Sequence, residues 1–359
     1  MSPVLHVDMD AFYASVEAER RGWKGEPIVV CVYSGRSEDS GAVSTCSYEA
    51  RDLGIHAAMP IKNAKRIAED AGLDVHFIGM DKEFYDQFSD DIREQILEDY
   101  TDIIEKASID EFYLELNDKN FTEAEKEASE IKKRVKDAFG VTCSIGVAPN
   151  KLVAKIASDR EKPDGLTIVR EEEVGEFMNG LEVDEIHGVG ERTREKLSEL
   201  GINSVEELAK VEAGLLVREF GEKQGPELRK KARGEDESDV EESLQKQVTR
   251  ITTLDQNSRS FNHIRKVFPE LADDIEVKLG EMDVDFGSVI IIAIDTDLEM
   301  HTRSTSLKTR VRDREIIIEK GEDLLEEFLD NFDGLIRRVG LRVSKLKERK
   351  GQKSFTEFT

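Results

Sequence analysis

Cysteine is scarce: the 359 residues contain three, Cys31, Cys46 and Cys143, with no C-x-x-C spacing. That usage excludes a disulfide framework and a cysteine zinc site, and it fits a reducing compartment. Long apolar runs are missing as well. The longest, "VIIIAI" at 289–294, is far too short for the roughly 20 residues that span a bilayer, and reads as a buried strand. The opening "MSPVLHVDMD" has neither the basic region nor the apolar core of a secretory signal. A cytoplasmic protein without a membrane segment is expected. An excess of positive charge is also lacking, since 52 Lys and Arg face 78 Asp and Glu for a net charge of −26. A body of that sign repels phosphate. However, net charge governs solubility, whereas the local sign of a surface chooses the partner. The same acidity suits concentrated salt, where charges are screened within roughly 3 Å at 1 M.

What is present is a polar chain, 38% hydrophobic and 36% charged, long enough for two to four domains. Residues 4–9 read as a strand leading into a helix from about Ala11, and "EPIVVCVY" (26–33) is a second strand. "AVSTCSYEARDLGI" passes from strand to helix and stops at Gly54. Helical periodicity fills 61–72, 81–99 and 122–138, with a hairpin "ASIDEFYLEL" before the last of these. A strand at 141–149 precedes a helix that Pro163 and Gly165 terminate. Residues 168–234 are almost wholly helical in pattern and include a helix, a tight Gly-x-Gly turn and a helix over 184–202. A charge-dense stretch at 233–247 reads as a linker. An α+β pattern then runs from 247 to 345, ahead of a short tail. There is no internal repeat.

Two acidic sites carry the chemistry. In "IEKASIDEFYLEL" (104–116), Asp110 and Glu111 interrupt an apolar, β-prone run. Burying ionised carboxylates costs several kcal/mol unless they are paired or bind a metal. The pair is therefore either a solvated hairpin tip or a bent tip that offers both groups to a cation. In "HVDMDAFYASVE", Asp10 reads as a helix cap, but Asp8 stands before the cap, where a cap does not need it. Two strand ends bearing carboxylates can hold a pair of Mg²⁺ ions, which take oxygen ligands and serve in-line phosphoryl transfer when about 3.5–4 Å apart. Asp8, Asp110 and Glu111 would suffice, with a backbone carbonyl near Met9. Tyr48 and Arg51, three apart at a helix start, share a face; on their own they read as an ordinary amphipathic pair, though both can reach a triphosphate.

"VDMDAFYASVE", "SGAVSTCSYEARDLGI", "ASIDEFYLE" and "VAPNKLVAKIASDREKPDG" together resemble the motifs of Y-family translesion DNA polymerases of the DNA polymerase IV type, archaeal-like, in order and spacing. The resemblance covers nearly the whole chain, and it decides against the solvated tip. It implies a multidomain α+β right-hand polymerase. The palm, with a mixed sheet and helices, would be 1–10 and 78–167, with small fingers at 11–77. A helical thumb with a helix-hairpin-helix would take 168–234, then a linker at 235–246. An α+β little finger at 247–345 and a flexible tail at 346–359 complete the expectation. Asp8, Asp110 and Glu111 would be catalytic and hold two Mg²⁺ with Met9. Phe12, Tyr13, Tyr48, Arg51 and Lys162 would bind the incoming nucleotide, with Tyr13 excluding ribose. Gly41, Ala42 and Ser44 would line the nascent base pair, their small size leaving room for damaged bases at the expense of fidelity. No proofreading exonuclease is implied.

Gly188 and Gly190 permit a tight turn whose N–H groups can bind phosphate without reading sequence. The family often has proline where this chain has His187. In "SLKTRVRDR", Lys308, Arg310, Arg312 and Arg314 recur at period two, on one face of a strand, and "LIRRVGLRVSKLKERK" adds Arg337, Arg338 and Arg342. Base concentrated in this way answers the charge objection, because DNA would lie where the basic residues are. Gln352, Phe355 and Phe358 in "QKSFTEFT" have the Q-x-x-Φ-x-x-Φ spacing of sliding-clamp ligands, with Thr359 replacing a second aromatic. The expected partners are primer–template DNA, dNTP and a clamp, and the expected state is a monomer. The rival function is a palm-fold two-metal nucleotide cyclase or nuclease, which shares the carboxylates but needs neither thumb hairpin nor little finger. A catalytically dead DNA-binding relative is a third, and the intact acidic triad argues against it.

Overall fold

The computed structural model describes residues 2–242 and 245–349. The chain divides into two compact units, one of residues 1–32 and 42–243, the other of residues 33–41 and 244–359. Among the described residues no helix is long and apolar enough to cross a membrane.

In the first unit the chain order is β1 (Val4–Met9), α1 (Phe12–Arg21), β2 (Ile28–Tyr33), β3 (Gly41–Cys46), α2 (Tyr48–Asp52), α3 (Ile61–Ala71), β4 (His76–Gly79) and α4 (Lys82–Gln95). There follow β5 (Ile104–Lys106), β6 (Glu111–Glu115), α5 (Phe121–Phe139), β7 (Cys143–Ala148), α6 (Lys151–Asp159) and β8 (Leu166–Ile168). The main sheet has the order β5-β6-β1-β7-β8, with β1 antiparallel to both neighbours and β7 parallel to β8. β1 and β7 are buried along their whole length, as central strands covered by helices must be. α1 buries Phe12, Ala14 and Val16 in the core of this sheet. The helix expected to open the fingers is thus packed into the core of the main sheet. β3, β2 and β4 form a separate three-stranded sheet with its own small core around Val29, Val43 and Ile61.

Residues 168–234 are mainly helical, as the pattern predicts: α7 (Val174–Asn179), α8 (Glu191–Glu199), α9 (Val205–Lys210) and α10 (Ala213–Ala232), the last broken at Gly221. The segment before the Gly-x-Gly turn is shorter than expected. It is a single 3₁₀ turn, Val183–Glu185, because Ile186 is already extended. Of the two glycines only Gly188 needs to be one, with φ of 92°, whereas Gly190 has an ordinary φ of −87° as the N-cap of α8. The early part of the expected linker is anchored: Asp236 accepts from the Leu152 N–H at 3.1 Å, and Val240 is buried.

The second unit contains β9 (Gln247–Ser258), α11 (Phe261–Ile264), α12 (Phe268–Glu281), β10 (Val284–Asp295), β11 (Met300–Val311), α13 (Arg314–Asp330), β12 (Ile336–Ser344) and β13 (Lys347–Glu348). Its sheet has the order β11-β10-β12-β9, antiparallel throughout. α12 and α13 cover one face, where Val289, Ile291 and Leu341 meet Phe268 and Leu325. Residues 33–41, expected in the fingers, belong to this unit. There the Arg36 guanidinium donates to the Leu254 carbonyl at 2.6 Å and to Asn257 at 2.8 Å.

Candidate active site

β1 and β6 pair so that Asp8 stands directly opposite Glu111. Cross-strand partners share a face, and like charges in that position repel. The hairpin tip between β5 and β6 is bent. The Ala107 and Ser108 N–H groups both donate to the Glu111 carbonyl, at 3.0 and 3.2 Å, and the Met9 N–H donates to the Asp110 carbonyl at 2.9 Å. These bonds lock the tip against the end of β1, so Asp8 and Glu111 arrive together by backbone register. Asp8 is 8% exposed, and burial pushes its carboxyl up to about 6 despite Lys162, whose ammonium lies 2.7 Å away. Glu111 is held down to about 2, first by a hydrogen bond from His6 and then by Lys155, against the effect of burial. Lys162 also reaches Asp159 at 2.7 Å.

The oxygens of Asp8 and Glu111 and a ring nitrogen of His6 lie within 4.8 Å of one another. Asp110 is outside that group, its Oδ1 taken by the Ser108 hydroxyl at 2.5 Å. Two hard oxygen donors in register, each drawing a lysine ammonium, fit a hard divalent cation. Asp10 does not cap α1, contrary to expectation. The cap residue is Ala11, in the left-handed region, and makes no side-chain bond. The Asp10 carboxylate instead accepts from the Thr142 and Ser144 hydroxyls, both at 2.7 Å, and from the Asp164 N–H at 2.8 Å. It ties β1 to β7 and to the loop bearing Lys162.

Tyr13 is half-buried, its ring 4.7 Å from that of Tyr85, whose hydroxyl donates to the fully buried Glu17 at 3.0 Å. The Phe12 side chain is 2% exposed and packs against Tyr85 and Phe88, so only its backbone is free to meet a nucleotide. Tyr48 and Arg51 share a face of α2, the guanidinium 4.7 Å from the ring centre. Burial first, then the charge of Asp10, raises the Tyr48 hydroxyl's pKa, and Asp8 and Lys162 also act on it, which puts it beside the carboxylates. Ala42 and Ser44 share the partly open face of β3 while Val43 points into the core. Gly41 opens that strand.

In the second unit, the face of the sheet away from the helices is defined by registers such as Thr249–Arg342–Ile290–Ser304 and Thr253–Arg338–Ile294–Met300. Sixteen positions in four such rows contain no carboxylate, although the chain carries 78. Lys308 and Arg310 continue the outer strand, exposed, and the Arg338 Nε has no hydrogen-bond partner among the described residues. Arg312 and Arg314 do not belong to this row. β11 ends at Val311, and Asp313 caps α13. Arg312 turns back to the Leu279 carbonyl and Asp283, and Arg314 to Asp273. Arg337 lies at the irregular start of β12, where its carbonyl accepts from Arg36. Gln352, Phe355 and Phe358 fall outside the described residues.

The sequence reading missed His6 and Lys155. His6 sits two residues before Asp8, and the period of a strand puts it on the same face. That signal was available.

A sheet with carboxylates at adjoining strand ends, beside tyrosine, arginine and lysine side chains able to hold a triphosphate, defines a nucleotidyl-transfer enzyme. Residues 7–159 match the impB/mucB/samB family, 245–356 its C-terminal domain, and 184–236 the thumb domain described for DNA polymerase-iota. The chain is 38% identical to DNA polymerase IV 1 of Methanosarcina mazei, over 99% of each. It matches a Y-family DNA polymerase chimera, Dbh-Dpo4(243-245)-Dbh, at a TM-score of 0.90 and 34% identity, over 97% of this chain and all of that one. An insertion ternary complex of Dbh DNA polymerase matches at 0.70 and 34%, with the same coverage. The chain belongs to the impB/mucB/samB family, the Y-family DNA polymerases. It is a template-directed DNA polymerase of the translesion class, metal-dependent, and the cyclase or nuclease reading is not favoured.

Proposed function

We propose that Asp8, Asp110 and Glu111, with the Met9 carbonyl, hold two Mg²⁺ ions for primer extension, and that Tyr13, Tyr48, Arg51, Lys162 and the Phe12 backbone hold the dNTP. The observation that carries this is the register: Asp8 faces Glu111, and a lysine ammonium is drawn to each. Bound metal supplies a lowered pKa at the attacking hydroxyl and neutralises the leaving group. Lys162 then exchanges Asp8 for a triphosphate oxygen, and Arg51, exposed in the last turn of α2, can grip a second. Tyr13, backed by the anchored Tyr85, closes the space at the sugar 2′ position. Gly41, Ala42 and Ser44 leave room at the base pair, which lowers fidelity and admits lesions.

The ternary-complex relative supports primer–template DNA and dNTP as partners. We assign DNA backbone contacts to the open sheet face through Lys308, Arg310, Arg338 and Arg342, and to the turn at Gly188. Palm, fingers, thumb and little finger follow the expected order, with α1 moved into the palm and residues 33–41 into the little-finger unit. We further propose that the protein works as a monomer in the cytoplasm. The spacing of Gln352, Phe355 and Phe358 supports docking on a sliding clamp. Deleting 352–359 should abolish clamp stimulation and spare unassisted synthesis, and stimulation that survives the deletion rules the docking out.

Extension of a primed template tests the site. Asp110→Asn should abolish incorporation while DNA binding stays near wild type, and incorporation within tenfold of wild type would defeat the assignment. In the same assay Tyr13→Ala should admit ribonucleotides. An unchanged dNTP-to-rNTP ratio makes Tyr13 a packing residue.

A further inference from the structure

His6 is fully buried two residues before Asp8 on β1, yet no step above uses it. Its ring packs 4.6 Å from that of Tyr113, its cross-strand partner. Nε2 lies 3.2 Å from Glu111 Oε2, and Nδ1 lies 2.7 Å from the Ser158 hydroxyl oxygen. Ser158 reaches it because α6 docks closely over β7 at Gly146, where a Cβ would stand 2.0 Å from the Ala154 carbonyl oxygen and 2.5 Å from the Ser158 nitrogen. A neutral imidazole has one donor and one acceptor, and an ionised carboxylate can only accept. Nε2 must therefore carry the proton towards Glu111, and the Ser158 hydroxyl, 2.7 Å from both Nδ1 and the Lys155 carbonyl oxygen, is shared between them. The other tautomer would aim a lone pair at the carboxylate.

We propose that His6 is a positioning residue for Glu111: held at Nδ1 by Ser158, it donates from Nε2 and pins one carboxylate oxygen so that the other is presented to the divalent cation. The inference rests on the cation reading of Asp8 and Glu111. Something must hold Glu111 in place, because Asp8 stands directly opposite and repels it. Lys155 also reaches Oε2, but a lysine is a flexible point charge that can leave for a phosphate. The imidazole, enclosed on every side, cannot. Partners of this kind behind a metal ligand orient it and raise its affinity for the ion.

The alternative is that His6 only fills the core, in which case phenylalanine would serve as well. The full-length protein, bound to primed DNA and a non-hydrolysable dNTP, is titrated with Mn²⁺ by electron paramagnetic resonance. Extension rates are measured against Mg²⁺ in parallel. His6→Phe should weaken Mn²⁺ binding and raise the half-saturating Mg²⁺ about tenfold, with the rate at saturating Mg²⁺ within about threefold of wild type. His6→Gln, which keeps an N–H donor, should recover most of the loss, and Ser158→Ala should shift both readouts in the same direction as His6→Phe. Cation dependence unchanged in His6→Phe, or equal loss in the Phe and Gln variants, overturns the proposal. If His6→Phe does not fold, His6→Gln and Ser158→Ala decide: wild-type behaviour in the first with a cation shift in the second supports it, and no shift in Ser158→Ala overturns it. Wild-type protein that binds Mn²⁺ no better than Glu111→Gln brings down the cation reading itself, a failure distinct from the others.

Discussion

Asp8 is the residue whose function costs the fold most. Its carboxyl, raised from 3.8 to about 6 by burial, binds a proton more readily in the folded than in the unfolded chain. Ionisation therefore destabilises the metal-free protein. The penalty is absent below pH 3.8, grows as pH rises towards 6, and is complete above it. Asp8→Asn removes the charge but keeps the shape, and Lys162 retains Asp159. The variant should be inactive yet more stable by about 1–3 kcal/mol at pH 7.5 in chelator, given about 1.4 kcal/mol per pKa unit. The advantage should shrink towards pH 4, and added divalent cation should stabilise wild type but not the variant. Equal melting temperatures in chelator at pH 7.5 would contradict this account. At this scale the triad was legible because four motifs fell in order around it. The role of Asp10 was not, because all three of its partners, Thr142, Ser144 and Asp164, lie more than 130 residues away, on or beside strands whose pairing no local pattern reveals.

Among the elements, the sheet of the second unit shows where periodicity succeeds and where it fails. Alternation correctly put Lys308 and Arg310 together on an exposed edge, but the same count ran on through Arg312 and Arg314, past the end of the strand. The stop signal was Asp313, which accepts from the Glu315 N–H and starts a helix. Arg312 and Arg314 consequently face acids on α12 and the turn after it, and are already paired. This separates two classes of arginine that composition treats alike. Arg338→Ala and Arg342→Ala should each weaken DNA binding and reduce the slope of log K against log salt by about one. Arg312→Ala and Arg314→Ala should leave that slope unchanged and lower the melting temperature instead. A slope that responds equally to all four would mean that the open face is not the DNA surface.

For the whole molecule, a charge of −26 and a DNA substrate are reconciled by segregation. Acid is spread widely over the chain, while sixteen paired positions of one sheet face carry none. Salt then acts on two different quantities. It screens the self-repulsion of the acidic body, which stabilises the fold. It also weakens every phosphate contact, with a slope of roughly −0.9 per contact on duplex DNA. Because the acidic body repels DNA at low salt, screening recovers part of that second loss, so binding should fall more gently than for a basic polymerase with as many contacts. Melting temperature should rise from dilute buffer to molar KCl, primer binding should fall over the same range, and extension should peak at an elevated concentration between the two limits. Differential scanning fluorimetry, fluorescence anisotropy and primer extension over one KCl series measure the three quantities. A melting temperature that is flat or falls with KCl, with activity best in dilute buffer, would show that the acidic surface is not an adaptation to salt.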